Sequence, residues 1–542
     1  MRCGCRLVNI RRRNKQMKAF IHADLYGRKE DAFLIDGERF CRFGTSEEIE
    51  AQLAAEDELT DLHGAFVSPG FHDSHCHLLE FGRYLENVPL HSCRSTEEVC
   101  RLLSRRLSEL PEGSWLAGRG FNEESFEVPG MPERKDLDAV SKDVPIVVTR
   151  ICGHKMVVNS KALELAGMDE NTVMEGGIVD AEHGFLEETA VTAMHNVMPD
   201  ETEESIRRSI LRGQKELNRY GITAVGSDDF VSLADDWRLV LKVFSSMAYK
   251  GELTVRVNEQ CEFPSLEEYA KFLDEGYTTD VGDDLFRIGP LKLITDGSLG
   301  ARTAALKEPY SDDPQKIGYL LMPLEELQKW VELGARFNMP SICHAIGDEA
   351  VASVLDLLEE VNLPGNPLHH GLVHCQIMSE DEIQKAIDMH LDCYFQSLFI
   401  DDDSAIVFDR VGAKRAEHSY PFKTLYEHVI ACNGSDAPVE LPNVMKGIEL
   451  AVTRKSIATG DSMNPSECLS VAQALDSYTV KGAEANAVSD RYGSLKEGLY
   501  ADFAVLSENP LNCDVTKIHE IRVLMTVMNG ETVYESEGGV RS

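Results

Sequence analysis

The stretch PGFHDSHCH, residues 69–77, decides the fold and contains the first candidate for a functional site. An apolar run at residues 65–67 leads into it, which indicates a strand. Residues two apart on a strand point to the same face, so His75 and His77 can place two imidazoles on one side. An isolated His-x-His pair is more often incidental than metal-binding. The rest of the chain therefore decides between the two interpretations by supplying further ligands or failing to supply them.

Length, charge and cysteine usage exclude several classes of protein. At 542 residues the chain suggests several domains or one barrel with additions. Its net charge of −38, from 54 basic and 92 acidic residues, repels nucleic acid and anionic membranes. The 14 cysteines include no Cys-x-x-Cys pair, which favours reduced thiols in a cytoplasmic protein. No apolar run approaches the roughly 18 residues of a membrane span, so we expect neither a nucleic acid nor a membrane partner.

The two ends of the chain share a strand-rich pattern. Residues 1–16 are Arg-rich without the apolar core of a signal peptide, so we interpret them as an extension before a true start at Met17. Short strand-like runs follow at residues 19–23 and 32–35, the second before the turn signal Asp36-Gly37. Similar runs return near the C-terminus. We therefore predict one small β domain from residues 17–68 and 485–542.

Strand-like and helix-like segments alternate through the middle of the chain. The strand-like runs after residue 220 are 223–225, 254–257, 291–294, 340–343, 371–373, 393–395 and 429–432. Amphipathic helices lie between them, for example at 324–337 and 348–361. This alternation predicts an α/β fold, an eight-fold barrel over residues 69–484. One barrel unit needs only about 30 residues, so the long gap after residue 77 predicts an inserted subdomain at about 90–205.

Four further candidate site residues lie just past strand-like runs, where barrel active sites are found. They are Lys292, His344, His374 and Asp436. Two histidines on the first strand followed by Lys, His, His and Asp in chain order form a specific constellation. The alternative for Lys292 is an ordinary salt bridge, with Asp296 as the candidate partner.

These residues and the motifs around them resemble the metal-dependent amidohydrolase superfamily, and within it the YtcJ-like branch that includes N-substituted formamide deformylases. The resemblance extends from about residue 18 to residue 537. The motifs that carry it are residues 69–77, His154 with 159–163, 296–304, 344–348, 434–439 and 493–502.

The resemblance implies a (β/α)8 TIM barrel with a β-sandwich built from both termini. It also implies a set of site residues. The implied metal ligands are His75, His77, Lys292, His344, His374 and Asp436, with Lys292 a carboxylated lysine that bridges two metals and Asp436 also the catalytic base. The implied substrate-binding residues are His154, Arg302 and Gln396. Imidazole and carboxylate ligands suit zinc without selecting it, and a centre with one metal remains the alternative to two.

The resemblance implies hydrolysis of a carbon–nitrogen bond other than a peptide bond, with N-substituted formamides among the candidate small-molecule substrates. A metal-activated hydroxide attacks the carbonyl, and Asp436 returns the proton to the leaving nitrogen. Two alternatives stay open: a lyase or isomerase with the same centre, and a non-catalytic binding protein on the same fold. A homodimer also stays open.

Three cysteines are next to candidate ligands in the sequence: Cys76, Cys343 and Cys375. Thiolates bind zinc well, which makes these residues an alternative set of ligands. Adjacent residues on a strand face opposite ways, however, so we expect all three to be buried core thiols behind the site.

Overall fold

The computed structural model describes residues 16–110, 113–123, 126–127, 130–150, 154–174, 176–199, 201–231 and 236–539. The predicted extension, residues 1–16, lies outside this part of the chain except for its last residue. The chain divides into two compact units. The first comprises the chain up to Leu78 together with everything from Gln214 onward, and the second is Leu79–Gly213.

The first unit begins with six strands and one short helix. They are β1 (Lys18–Ile21), β2 (Asp24–Leu25), β3 (Ala32–Asp36), β4 (Arg39–Gly44), α1 (Ser46–Glu50), β5 (Glu58–Asp61) and β6 (Phe66–Pro69). The pattern at residues 46–58 predicts a longer helix, and this prediction is wrong. The Asp57 carboxylate accepts the backbone N–H groups of Ala54 and Met17, at 2.8 and 2.9 Å. These bonds fix a turn after the helix, and Glu58 then pairs with β1 in parallel.

The His-x-His stretch forms the next strand, β7 (Phe71–Cys76), which α2 (Leu78–Tyr84) follows. The chain then builds the second unit, and the predicted insertion at residues 90–205 lies within that unit. Its strands form a six-stranded sheet in the order β12-β13-β11-β10-β9-β8. The elements are β8 (Val88–Pro89), α3 (Thr96–Leu107), β9 (Leu116–Phe121), α4 (Arg134–Val140), β10 (Ile146–Arg150), β11 (Lys155–Val158), α5 (Ser160–Ala166), β12 (Gly177–Asp180), β13 (Phe185–Glu188), α6 (Thr189–His195) and most of α7 (Glu203–Arg219).

Seven more strands join β7 in an eight-stranded parallel sheet, in sequence order from β7 to β20. They are β14 (Ile222–Ser227), β15 (Arg256–Cys261), β16 (Phe286–Ile294), β17 (Ser341–Ala345), β18 (Gly371–His374), β19 (Asp392–Phe395) and β20 (Ala431–Asn433). The helices after them are α8 (Trp237–Lys250), α9 (Leu266–Asp274), α10 (Leu324–Arg336), α11 (Asp348–Val361), α12 (Glu380–Asp388), α13 (Ile400–Asp403), α14 (Val407–Ala416), α15 (Phe422–His428), α16 (Val444–Thr453), α17 (Val471–Ser477) and α18 (Val480–Ala485).

Hydrogen bonds between the end of β7 and the segment after β20 bring the two edges of this sheet together. The N–H of Asp436 donates to the carbonyl of His75 at 2.8 Å, and the N–H of His77 donates to the carbonyl of Ala437 at 2.8 Å. The sheet is therefore a nearly closed barrel, and the predicted α/β barrel is confirmed. Asp436 lies beside the His-x-His strand because of this closure.

Strands from both ends of the chain share one core. The tail contributes β21 (Phe503–Leu506), β22 (Val523–Met528) and β23 (Glu531–Glu535) to a five-stranded sheet, β2-β6-β21-β22-β23. The other sheet, β4-β3-β1-β5, comes from the N-terminal segment alone. Phe33 stacks on Phe20 and meets Phe503 edge-on, with the ring centroids 5.1 Å apart in both pairs. The two sheets are thus packed through aromatic side chains from opposite ends of the sequence.

Each helix in the described residues is too short or too polar to cross a membrane.

Candidate active site

The six candidate ligands all belong to the first unit and lie in or just after barrel strands. His75 is in β7 and His77 directly follows it, Lys292 is in β16, and His344 is in β17. His374 ends β18, and Asp436 follows β20 by three residues. The carboxyl ends of parallel strands meet at one face of a barrel, and this brings together residues that are up to 361 positions apart in the chain.

One group of three side chains among the described residues has the spacing of a metal site. The Nε2 atoms of His75 and His77 lie 3.5 and 3.2 Å from Oδ1 of Asp436. The candidate ligand atoms of this group all lie within 4.8 Å of one another. Two imidazoles and a carboxylate form a donor set that suits zinc and similar divalent metals, so these residues fit the metal that the sequence predicts.

His374 lies between this group and the fourth histidine. Its ring centroid is 5.8 Å from that of His75 and 4.5 Å from that of His344. Phe399 stacks on the ring of His374, with the centroids 5.9 Å apart. The four histidines predicted from the sequence are therefore neighbours in space, and an aromatic ring packs against His374.

Lys292 is buried and forms an ion pair with a residue that the sequence did not point to. Its Nζ atom lies 3.4 Å from Oδ2 of Asp228, which follows β14. The salt bridge that the sequence leaves open as an alternative is thus present, but its partner is Asp228 and not Asp296, whose carboxylate accepts the backbone N–H groups of Ala305 and Gly347, both at 2.9 Å. Asp228 directly follows a strand, as the other site residues do, and this signal could have identified it.

Three of the four histidines are held through the ring nitrogen Nδ1. The Nδ1 atoms of His75 and His374 are in hydrogen-bond contact with the amide oxygens of Gln260 and Gln396, the second at 2.8 Å. Nδ1 of His77 donates to the backbone carbonyl of Asp228 at 2.9 Å. These contacts leave Nε2 of each ring for a metal.

His344 differs from the other histidines. Its Nε2 atom lies 3.2 Å from the carbonyl of Gly297 and 3.3 Å from Oδ1 of Asp296. Because Nε2 is occupied in this way, Nδ1 is the nitrogen of His344 that is left for a metal.

Burial and local charge set the protonation of the cluster. Burial lowers the pKa of His374 to about 3 and also lowers that of His75, so both rings are neutral, as a metal ligand must be. For His77, burial alone would lower the pKa, but the hydrogen bond to Asp436 and the nearby carboxylates raise it to about 10. For Asp436, burial opposes ionisation, but the histidines lower its pKa. The pair of His77 and Asp436 therefore holds one proton.

The three cysteines beside the ligands are buried, with Cys76, Cys343 and Cys375 each at most 2% exposed. Burial raises the pKa of the Cys343 thiol to about 12. A protonated thiol is a poor zinc ligand, which agrees with the expected role of these residues in the core.

The three predicted substrate-binding residues have different surroundings. The guanidinium of Arg302 donates to both carboxylate oxygens of Asp312, at 3.0 and 2.7 Å. Gln396 is 1% exposed and bound to the ring of His374. His154 belongs to the second unit, where its exposed ring lies 3.1 Å from a carboxylate oxygen of Glu188. Their contact with substrate stays a prediction.

The comparisons with known proteins agree with this fold. The sequence profile of the Amidohydrolase family, Amidohydro_3, matches residues 58–534. The YtcJ protein of Bacillus subtilis (strain 168) is 33% identical over 489 residues, 89% of this chain and 91% of that protein. The N-substituted formamide deformylase of Arthrobacter pascens is 24% identical over 528 residues, 94% of this chain and 95% of that enzyme. A metal-dependent hydrolase of Pyrococcus horikoshii OT3 has a TM-score of 0.77 at 28% identity, covering 92% of this chain and 99% of that one.

The chain belongs to the amidohydrolase family. It is a metal-dependent hydrolase that uses a divalent metal, as the family and the structural relative indicate.

Proposed function

We propose that the protein hydrolyses a carbon–nitrogen bond other than a peptide bond in a small molecule, with N-substituted formamides as the first class to test. The grouping of His75, His77 and Asp436 at the barrel face supports the proposal, together with the row of His344 and His374. The likeness to a formamide deformylase over 94% of this chain supports the choice of substrate class.

The proposed cofactor is zinc, two ions per chain. A bound metal supplies Lewis acidity, which polarises the substrate carbonyl and makes a water molecule more acidic. His75, His77 and Asp436 would hold one ion, and His344 and His374 would hold the other. Lys292 would bridge the two as a carbamate: its ammonium would lose one proton, and the resulting amine would lose a second as its nitrogen bonds to carbon dioxide. The carboxylate of Asp228, 3.4 Å from Nζ, is placed to accept the first of these protons, and the second would pass to solvent.

Asp436 is the proposed catalytic base. Its carboxylate accepts a proton from water as the water oxygen bonds to the carbonyl carbon, and it returns that proton to the nitrogen as the carbon–nitrogen bond breaks. The nearby imidazoles favour the ionised carboxylate, because their hydrogen bond and charge lower the pKa of Asp436. An ionised carboxylate can act as the base at neutral pH.

The proposal is tested by supplying zinc to the purified protein and screening N-formyl and N-acyl amines in water enriched in oxygen-18. Hydrolysis predicts a free amine and one labelled oxygen in the released acid. The Asp436→Asn variant should lose about 10²–10⁴-fold in turnover. Asp274→Asn is the control, because Asp274 is exposed at the end of α9, and it should keep the turnover of wild type. A labelled acid that forms equally fast with Asp436→Asn would contradict the role of the base. A product without the label would favour a lyase or isomerase.

We further propose a cytoplasmic location. Eleven described cysteines, for example Cys261 and Cys393, are free thiols, which supports a reducing compartment. A homodimer is the oligomeric state to test by light scattering.

A further inference from the structure

Three barrel strands, β14, β15 and β19, supply no predicted metal ligand, yet each supplies an acceptor for a ligand histidine. Asp228, directly after β14, offers its carbonyl to His77 at 2.9 Å. Gln260 in β15 and Gln396 directly after β19 offer side-chain oxygens to His75 and His374. The strands without ligands therefore orient the ligands of other strands.

The orientation of both glutamine amides is fixed by a second hydrogen bond. The Nε2 group of Gln260 donates to the carbonyl of Ser74 at 2.9 Å, and that of Gln396 donates to the carbonyl of Tyr394 at 3.2 Å. Each amide oxygen is thus directed at an imidazole. An amide oxygen can only accept, so it holds the proton of a neutral imidazole on Nδ1 and leaves the lone pair on Nε2.

The two glutamines act on different parts of the centre. Gln260 holds His75, which meets Asp436 through Nε2 at 3.5 Å. Gln396 holds His374, whose ring packs on His344 at 4.5 Å between centroids. Both glutamines are buried, with at most 1% of their surface exposed, so water does not compete for either hydrogen bond.

We infer that Gln260 and Gln396 are positioning residues, each of which sets the zinc affinity of a different metal position. Gln260 acts on the position formed by His75, His77 and Asp436. Gln396 acts on the position formed by His344 and His374. This inference rests on the proposed two-metal centre. A neutral amide fixes the ring without adding charge behind it, whereas a carboxylate in the same place would make the imidazole more basic.

The test measures zinc affinity rather than turnover. Apoprotein is titrated with zinc against a chromogenic chelator for wild type, Gln260→Met and Gln396→Met, which retain the length of the side chain but lose the acceptor. Each Met variant should bind one of the two zinc ions about 10–100-fold more weakly, and the other zinc ion should bind as in wild type. The Gln260→Glu and Gln396→Glu variants retain an acceptor oxygen and should bind both zinc ions at least as tightly as wild type. The thermal unfolding midpoints of the apoproteins show whether each variant is folded.

Should a Met variant fail to fold, the Asn variant at the same position replaces it, because the shorter side chain keeps the amide but withdraws it from the ring. If wild type binds two zinc ions and the folded Met or Asn variants bind both with unchanged affinity, the inference is overturned but the two-metal proposal is not. Loss of the same zinc ion in both variants would also overturn it. A wild type that binds one zinc ion or none would overturn the two-metal proposal and this inference with it.

Discussion

The Nζ atom of Lys292 lies 3.4 Å from the Oδ2 atom of Asp228, and the two side chains are 2% and 0% exposed. A buried charge is costly without a partner, so an ammonium at this position requires the aspartate. A carbamate at the same position would instead face Asp228 with negative charge, and cations on the other side would have to balance both groups. On the two-metal proposal, Lys292 must therefore be the carbamate and not the ammonium.

The first prediction follows from a bridging role of Lys292. Lys292→Ala should abolish turnover and lower the zinc content from two ions to one per chain, because the second ion would keep only His344 and His374 as protein ligands. A short-chain carboxylic acid should restore part of both by occupying the space of the lost side chain. Elemental analysis and turnover measured with and without the acid provide the check.

Lys385→Ala is the control for this change, since Lys385 pairs with Asp356 on the protein surface at 2.7 Å. Fully active wild type with one metal per chain, together with normal turnover of Lys292→Ala, would refute the bridge.

The second prediction concerns the histidines of the two halves of the centre. His75→Ala and His344→Ala should each abolish turnover and reduce the bound metal, because the loss of one ligand opens the coordination sphere. His22→Ala, which removes an exposed ring near the N-terminus, is the control and should change neither quantity. Wild-type metal content in His75→Ala would show that the site lies elsewhere.

The third prediction is a pH dependence of zinc binding. The hydrogen bond to Asp436 raises the pKa of His77 to about 10 against the effect of burial, and zinc requires the unprotonated nitrogen. Below that pH one proton must leave for each zinc ion bound at this position. The dissociation constant should therefore rise about tenfold for each pH unit lowered between pH 9 and pH 7. Chelator competition at several pH values measures this slope.

Asp436→Asn provides the comparison for the pH measurement. It removes the carboxylate that raises the pKa of His77, so the slope should flatten above about pH 6.5, the ordinary value for histidine. Equal slopes in wild type and variant would assign the released proton to another group.

The fourth prediction concerns a buried ion pair between the barrel and the tail. Nε of Arg256 in β15 lies 2.7 Å from Oδ2 of Asp502, and both side chains are 2% exposed. Asp502→Asn should lower the free energy of unfolding by about 3–5 kcal/mol, because it leaves the guanidinium buried without its counter-charge. Chemical denaturation measures the change. The double variant Arg256→Met with Asp502→Leu should recover much of the loss, and failure to recover would point to other contacts of Arg256.

Strand position was sufficient to single out the candidate ligands. His75, His77, Lys292, His344, His374 and Asp436 each lie in or just after a strand-like run, and parallel strands end at one face of a barrel. No local pattern reveals the partners behind them. The contact of Gln260 with His75 spans 185 positions, and it depends on how eight strands are arranged around the barrel.

The wrong partner for Lys292 has a physical cause. Asp296 is four positions away, a separation that brings side chains together on a helix. Lys292 instead lies on β16, which is extended and ends at Ile294, and the carboxylate of Asp296 beyond it binds the backbone N–H groups of Ala305 and Gly347. Asp228 is 64 positions away, but β14 ends at the same barrel face as β16. The predicted long helix at residues 46–58 failed for a similar reason, because Glu58 pairs with β1.

The pairing of β6 with β21 joins Pro69 to Phe503 and has a consequence for how the protein is made. At about 5–20 residues per second on the ribosome, the roughly 430 residues between these strands take about 20–90 s to synthesise. During that time β6 has emerged with its apolar residues Phe66 and Val67, while its partner strand does not yet exist. The first strands to leave the ribosome are thus among the last to be covered, and a nascent chain that stalls before β21 leaves an open sheet edge that can aggregate or recruit chaperones.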